Sequence, residues 1–123
     1  MNLEQIRAQN AFEAASGKDA DFLNLARSLP QMLQTNGLLG TWAFLLAKAG
    51  KERSHADVVN ALAKHLRSEG IELIGERAVE PKSVLLTEWT KPEASSDLLQ
   101  DVAAEALAYA GWLKRAAEAL SEQ

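Results

Sequence analysis

Apolar residues recur along this chain at helical spacings, and glycine, proline and capping residues cut that recurrence into segments. Asn2 precedes Leu3 to Ala15, Glu4 sits in the first turn where an acid favours the helix dipole, and Ser16-Gly17 ends the run, which predicts a first helix. Asp19 to Ser28 predicts a second, with Phe22, Leu25, Ala26 and Leu29 in helical register. Pro30 marks a break or a restart. Proline lacks an N–H and fits a first helical turn, so Ser28 reads as the cap of a short segment from Leu29 to Thr35. Asn36-Gly37 closes it, glycine supplying the positive φ of a helix terminus.

Leu38 to Ala49 is apolar around nearly its whole circumference, the mark of a central helix. Gly50 ends it, and Ser54 is the expected cap of the next helix. There Val58, Val59, Leu62, Ala63 and Leu66 form one stripe, while Asn60, Lys64 and Arg67 occupy the other face. Gly70 stops that helix. Ile71 to Pro92 shows little pattern beyond a short helix from Lys82 to Trp89. Pro92 to Asp97 reads as a loop ending in caps, after which a long helix runs to about Ala119. Leu99, Val102, Ala106, Tyr109, Leu113, Ala116 and Leu120 alternate steps of three and four along it. With no period-two alternation, the expected fold is all-α: residues 1–123 as one compact domain of five to six helices with a long C-terminal helix.

Composition narrows the function. At 123 residues the chain holds one domain, which excludes a multidomain enzyme. Its lack of cysteine removes disulfides, thiolate nucleophiles and sulfur-ligated zinc, and fits a reducing cytoplasm. No apolar run reaches the ~18 residues of a membrane span, so no membrane partner is expected. The net charge of −4 argues against a strongly basic, free-standing nucleic-acid binder. The charge is unevenly spread, however. Lys48 to Arg67 is net +3 and Glu69 to Glu105 is net −6, which suits a phosphate partner on one side.

Catalytic signatures fail one by one. His55 and His65 do not share the four-residue spacing of paired metal ligands; His65 and Glu69 do, but one such pair supplies too few ligands. His65 and Glu69 read instead as two exposed helix residues, and neither a metal nor another cofactor is expected. Ser16-Gly17-Lys18 lacks the upstream glycine and strand of a phosphate loop and reads as a turn. Glu69, Glu72, Glu76 and Glu80 recur as a solvated face does. Trp42 and Trp112 lie in apolar helical patterns and are assigned to the core. Trp89, among polar neighbours, is expected to be exposed for a partner.

Leu29-Pro30-Gln31-Met32-Leu33-Gln34-Thr35-Asn36-Gly37-Leu38, followed by Trp42-Ala43-Phe44-Leu45-Leu46-Ala47-Lys48, resembles a signature of the small helical subunit of type III-B CRISPR-Cas effector complexes, the Cmr subunit five family. A second block, Glu105 to Leu120 with Trp112-Leu113-Lys114-Arg115 at its centre, is similar to that family's C-terminal helix. In places the chain departs from the family pattern: Leu99-Gln100 stands where Tyr-Arg is common, and Ala116 where an aromatic is. The resemblance implies a non-catalytic structural subunit, its copies stacked into the inner filament of an RNA-guided antiviral complex. The implied partners are the large subunit, the backbone filament subunits, further copies of the chain, CRISPR RNA and target RNA. Lys48, Lys114 and Arg115 match the family's basic positions and are the leading candidates for RNA contact, with Arg27 behind them. Charge alone adds Lys51, Arg53, Lys64 and Arg67. Two other classes fit the residues: a helical protein–protein adaptor or antitoxin-like module without RNA, and a small metal-dependent enzyme using the acids from Glu69 to Glu80.

Overall fold

The computed structural model describes residues 1–75 and 80–121. Glu76 of the acidic run and Arg77 lie outside the described residues. The described residues form a bundle of five helices: α1 (Leu3–Ala15), α2 (Ala20–Ala49), α3 (Arg53–Arg67), a short α4 (Pro81–Val84) that widens into a π-helical turn (Leu85–Trp89), and α5 (Ser96–Ser121). No strand occurs among the described residues.

Local chemistry sets most of the boundaries. The Asn2 side chain accepts the Gln5 N–H while the Gln5 side chain accepts the Asn2 N–H, a reciprocal capping box at the start of α1. Asp19 caps α2 by accepting the Phe22 N–H at 3.0 Å, and Ser95 caps α5 by accepting the Leu98 N–H at 3.0 Å. Gly17 turns at φ 72°, as expected of a turn between helices.

Two expected boundaries are corrected. No break occurs at Pro30: the helix runs through it, and Ser28 caps nothing, its hydroxyl donating to the Leu25 carbonyl at 2.9 Å. Leu25, Ala26, Leu29 and Leu33 form one continuous buried face across the proline. Burying side chains of that size at about 1.5 to 3 kcal/mol each outweighs the ~3 kcal/mol of a proline inside a helix. Nor does Ser54 cap α3. The Lys48 carbonyl accepts both the Lys51 and the Glu52 N–H, so the chain turns tightly into a helix that begins at Arg53 and leaves Ser54 buried within it.

The reversal lies at Gly37, whose φ of 76° and ψ of 176° divide α2 into two arms, residues 20–36 and 38–49. The Thr41 hydroxyl donates to the Met32 carbonyl at 3.1 Å. In a straight helix nine residues span about 13 Å, so this bond requires the arms to fold back on one another.

Helix α5 packs along α2, and α1 packs along α5. Arg27 of the first α2 arm pairs with Glu118 near the end of α5, which makes those two helices antiparallel. Arg7 meets Glu105 and Asn10 meets Tyr109, so α1 and α5 run parallel. Phe22, Leu29, Trp42, Leu45, Val58, Leu62, Leu66, Val102, Tyr109 and Leu113 fill the common core. The helix from Leu38 to Ala49 is not enclosed on all sides as expected: Leu38, Trp42 and Leu45 are buried, but Leu39 and Phe44 stay 38% exposed.

Trp89 is another correction. It is 3% exposed and meets Trp42 edge-to-face, with ring centroids 4.7 Å apart. Trp42 itself donates its indole N–H to the Pro81 carbonyl at 2.9 Å. Trp112, assigned to the core, packs against it while remaining half-buried.

Candidate nucleic-acid interface

The eight candidate basic residues fall into separate groups. Lys48, Lys51 and Arg53 share the corner between α2 and α3. Lys64 and Arg67 lie in the last turns of α3; Lys64 is about 16 Å along the helix from Arg53 at 1.5 Å per residue. Arg27, Lys114 and Arg115 share the seam of α2 and α5. There Glu118 binds the Arg27 Nε at 3.1 Å and stands one helical turn beyond Lys114 and Arg115.

Their surroundings differ. Lys48 is exposed, with its ammonium 5.5 Å from the centre of the Phe44 ring. Arg115 is exposed and lies over Trp112, its guanidinium 5.7 Å from the ring centre. Both cations rest on an aromatic face and keep their N–H donors toward solvent, a placement open to a phosphate. Lys114, next to Arg115 in α5, is half-buried. Arg27 already has a carboxylate, and Arg53 stands 3.9 Å from Asp57. Lys51 borders a depression that also holds Asp19, Asp21 and Glu52. Lys64 lines a cleft of about 240 Å³ between α1 and α3, together with Glu13, Lys18, Asp57 and Asn60. Acids at these last sites weaken the local positive field, whereas Lys48 on Phe44 and Arg115 on Trp112 each pair a cation with an aromatic ring.

Both histidines are buried, His65 contrary to its reading as an exposed helix residue. His55 is held by Glu52 and Ser54, each 3.2 Å from its Nδ1, with its ring against the edge of Phe44. His65 is 1% exposed and bonds Glu105 of α5, while Glu69, four residues further along, is exposed. Arg7 donates through Nε and Nη2 to the two Glu105 oxygens at 2.7 and 2.6 Å, and His65 Nε2 donates to the same carboxylate at 2.8 Å. Asn10 Nδ2 donates to His65 Nδ1 at 2.9 Å and to the Ser68 hydroxyl at 3.1 Å. With Nδ1 accepting, the proton sits on Nε2 and the ring is neutral. His65 stacks on Tyr109 at 4.1 Å, and the Tyr109 hydroxyl donates to the Asn10 carbonyl.

The ionisation of these groups follows from their setting. Burial pulls His65 below the ordinary histidine value, against the pull of Glu105. Burial alone would raise Glu105, but the hydrogen bonds from Arg7 and His65 hold it below the usual carboxylate value. Burial pushes the Tyr109 phenol up. No buried polar side-chain atom among the described residues lacks a partner, and no group of three potential metal ligands occurs among them. This network ties α1 to α3 and α5; it is a structural joint. The sequence carried its signal: His65 and Glu105 fall in phase with the apolar stripes of their helices, one turn from Leu62 and Val102.

No helix among the described residues is long and apolar enough to cross a membrane. Against known proteins, the model of the family described as CRISPR-associated protein (Cas_Cmr5) matches residues 3–120. No curated protein and no solved structure matches the chain.

Proposed function

The chain belongs to the Cmr5 family of CRISPR-associated proteins, subunits of the type III-B Cmr complex that are generally non-catalytic, and from that premise we propose a structural role inside the RNA-guided assembly. In this reading copies of the chain stack into the inner filament beside the backbone subunits and help hold target RNA against the guide. Cleavage belongs to another subunit.

The observation that carries the RNA role is the α2–α5 seam. Lys114 and Arg115 fall within the family match, and Arg115 is braced on Trp112 with its donors free for phosphate. Lys48, braced on Phe44, is the second point of contact. Arg27, Lys51, Arg53, Lys64 and Arg67 contribute less, four of them because carboxylates share their surroundings. With a net charge of −4, the isolated chain is expected to bind RNA weakly.

Contact with phosphates leaves a salt signature: log affinity falls with log salt by about 0.7 per neutralised phosphate on a single strand. Replacing Lys48, Lys114 and Arg115 together by Glu is expected to flatten that slope by about 2 in the assembled complex. An unchanged slope and affinity would remove these residues from the RNA interface. Purification of the tagged chain from its host tests the broader reading. Recovery with Cmr subunits and CRISPR RNA supports it, whereas an unrelated protein without RNA selects the adaptor reading.

A further inference from the structure

The second arm of α2 turns an apolar face to solvent. Its inward side is Leu38, Thr41, Trp42 and Leu45. The opposite side carries Leu39, Gly40, Ala43, Phe44 and Ala47, all exposed. Lys48 is the only charged residue between 38 and 49. A helix face in water normally carries the charged and polar positions, and a contiguous apolar one marks a contact surface. Lys48 and Lys51 give this face a basic end.

A complementary face lies on the same chain. Along α5, Asp97, Asp101, Ala104 and Ala108 fall on one line at about 100° per residue; the first three are exposed and the last is half-buried. Leu98 borders the line at 39% exposure. Acids stand at the N-terminal end, followed by small residues over which another helix can pass closely. Set antiparallel, the two faces match in step. Lys48 comes beside Asp97 and Asp101, Phe44 onto Ala104, and Leu39 with Gly40 onto Ala108. The antiparallel arrangement also places the carbonyl end of the α2 arm beside the N–H end of α5, where their partial charges attract.

We propose that the outer face of the second α2 arm docks onto the N-terminal half of α5 in a second copy of this chain. The proposal rests on the stacking read above and supplies the two surfaces that meet. Because the surfaces differ, the contact is heterologous: each copy offers one of each, and the contact repeats along a line without closing. Pairing of two α2 faces would set Lys48 near Lys48, so charge favours the unlike pair. Lys48 carries three N–H donors, and a carboxylate at the rim of the contact leaves others for phosphate.

The absence of cysteine makes the test clean, since every introduced thiol is unique. Ala43→Cys and Ala104→Cys are placed in one chain, and each alone in two others. All three are assembled in the intact complex and treated with a short bis-maleimide. The double variant is expected to give a ladder of multimers spaced by one chain mass of 13.4 kDa, and each single variant no such dimer. A dimer from Ala43→Cys alone means like faces pair and overturns the proposal. Cross-linking of Ala43→Cys to a different subunit overturns it in favour of another occupant. No cross-link in a complex that has assembled normally overturns it as well, and leaves the subunit reading standing. Failure to enter the complex even without substitutions would instead sink that reading, and this proposal with it.

Discussion

Removing the carboxylate at position 105 tests whether the buried joint between α1, α3 and α5 holds the bundle. In Glu105→Ala, Arg7 loses both of its short bonds and His65 loses the acceptor of its Nε2 proton. Breaking a fully buried pair costs about 3 to 5 kcal/mol, because the surviving charge is stranded. Here Glu105 is 9% exposed but Arg7 is 23% exposed, so its guanidinium recovers some hydration and the expected loss falls to about 2 to 3 kcal/mol. Unfolding entropy of about 2.1 cal/mol/K per residue over 123 residues converts this to a fall in Tm of roughly 8 to 12 °C. Urea unfolding followed by circular dichroism reads the free energy directly. Glu105→Gln keeps an acceptor for His65 and removes only the charge, so its cost should shrink when Arg7→Met is already present. A loss below about 0.5 kcal/mol for Glu105→Ala, or an identical cost for Glu105→Gln with and without Arg7, would refute the account.

The same network predicts acid sensitivity. His65 and Glu105 both have folded pKa values below their ordinary 6.5 and 4.5, so the unfolded chain binds more protons. Their stability contribution is complete above those values and drains as pH falls, first below about 6.5 and again below about 4.5; urea midpoints across pH should show the upper step vanish in His65→Gln. Trp89→Ala should lower stability by about 3 to 5 kcal/mol, since it empties a core site against Trp42, and a thermal melt within 3 °C of the parent would contradict the burial. Gly37→Ala should cost about 1 to 3 kcal/mol although open space surrounds the site, because the penalty comes from φ 76° with ψ 176° alone; a neutral effect in urea would mean the arms reverse differently.

The helices were largely legible because their ends carry local chemistry. The capping box at Asn2, the positive φ at Gly37 and the Ser95 cap each depend on residues within a few positions. Pro30 misled because its local penalty is real, yet a buried face running from Leu25 to Leu33 overrides it. Trp89 was hidden by a change of period. In an α-helix, Val84 and Trp89 would point about 140° apart. The wider turn between them, in which the Leu85 carbonyl accepts the Thr90 N–H, brings both into the core. His65 and Glu105 were passed over because each looks like a surface residue by type. Only their phase marks them as interior, and their partners lie 40 and 98 residues away in sequence. Of the candidate site, residue identities were legible and neighbours were not. Nothing in the sequence pairs Arg27 with Glu118 or lays Arg115 on Trp112, contacts that decide which cations remain open to phosphate.

These two departures from simple patterning, titratable groups inside and an apolar helix face outside, answer different needs. The Arg7–Glu105–His65 joint has every buried polar atom partnered, so it fixes the register of α1 on α5 without leaving an orphan donor. Leu39, Ala43 and Phe44 have no such compensation within the chain. Each stays in partial contact with water, where apolar area costs about 25 cal/mol per Å² relative to burial. Repacking the second α2 arm would not remove that exposure, because Trp42 already commits the opposite face through its Pro81 bond and its contact with Trp89. The arm therefore has one side fixed by the core and the other available only to a surface from outside.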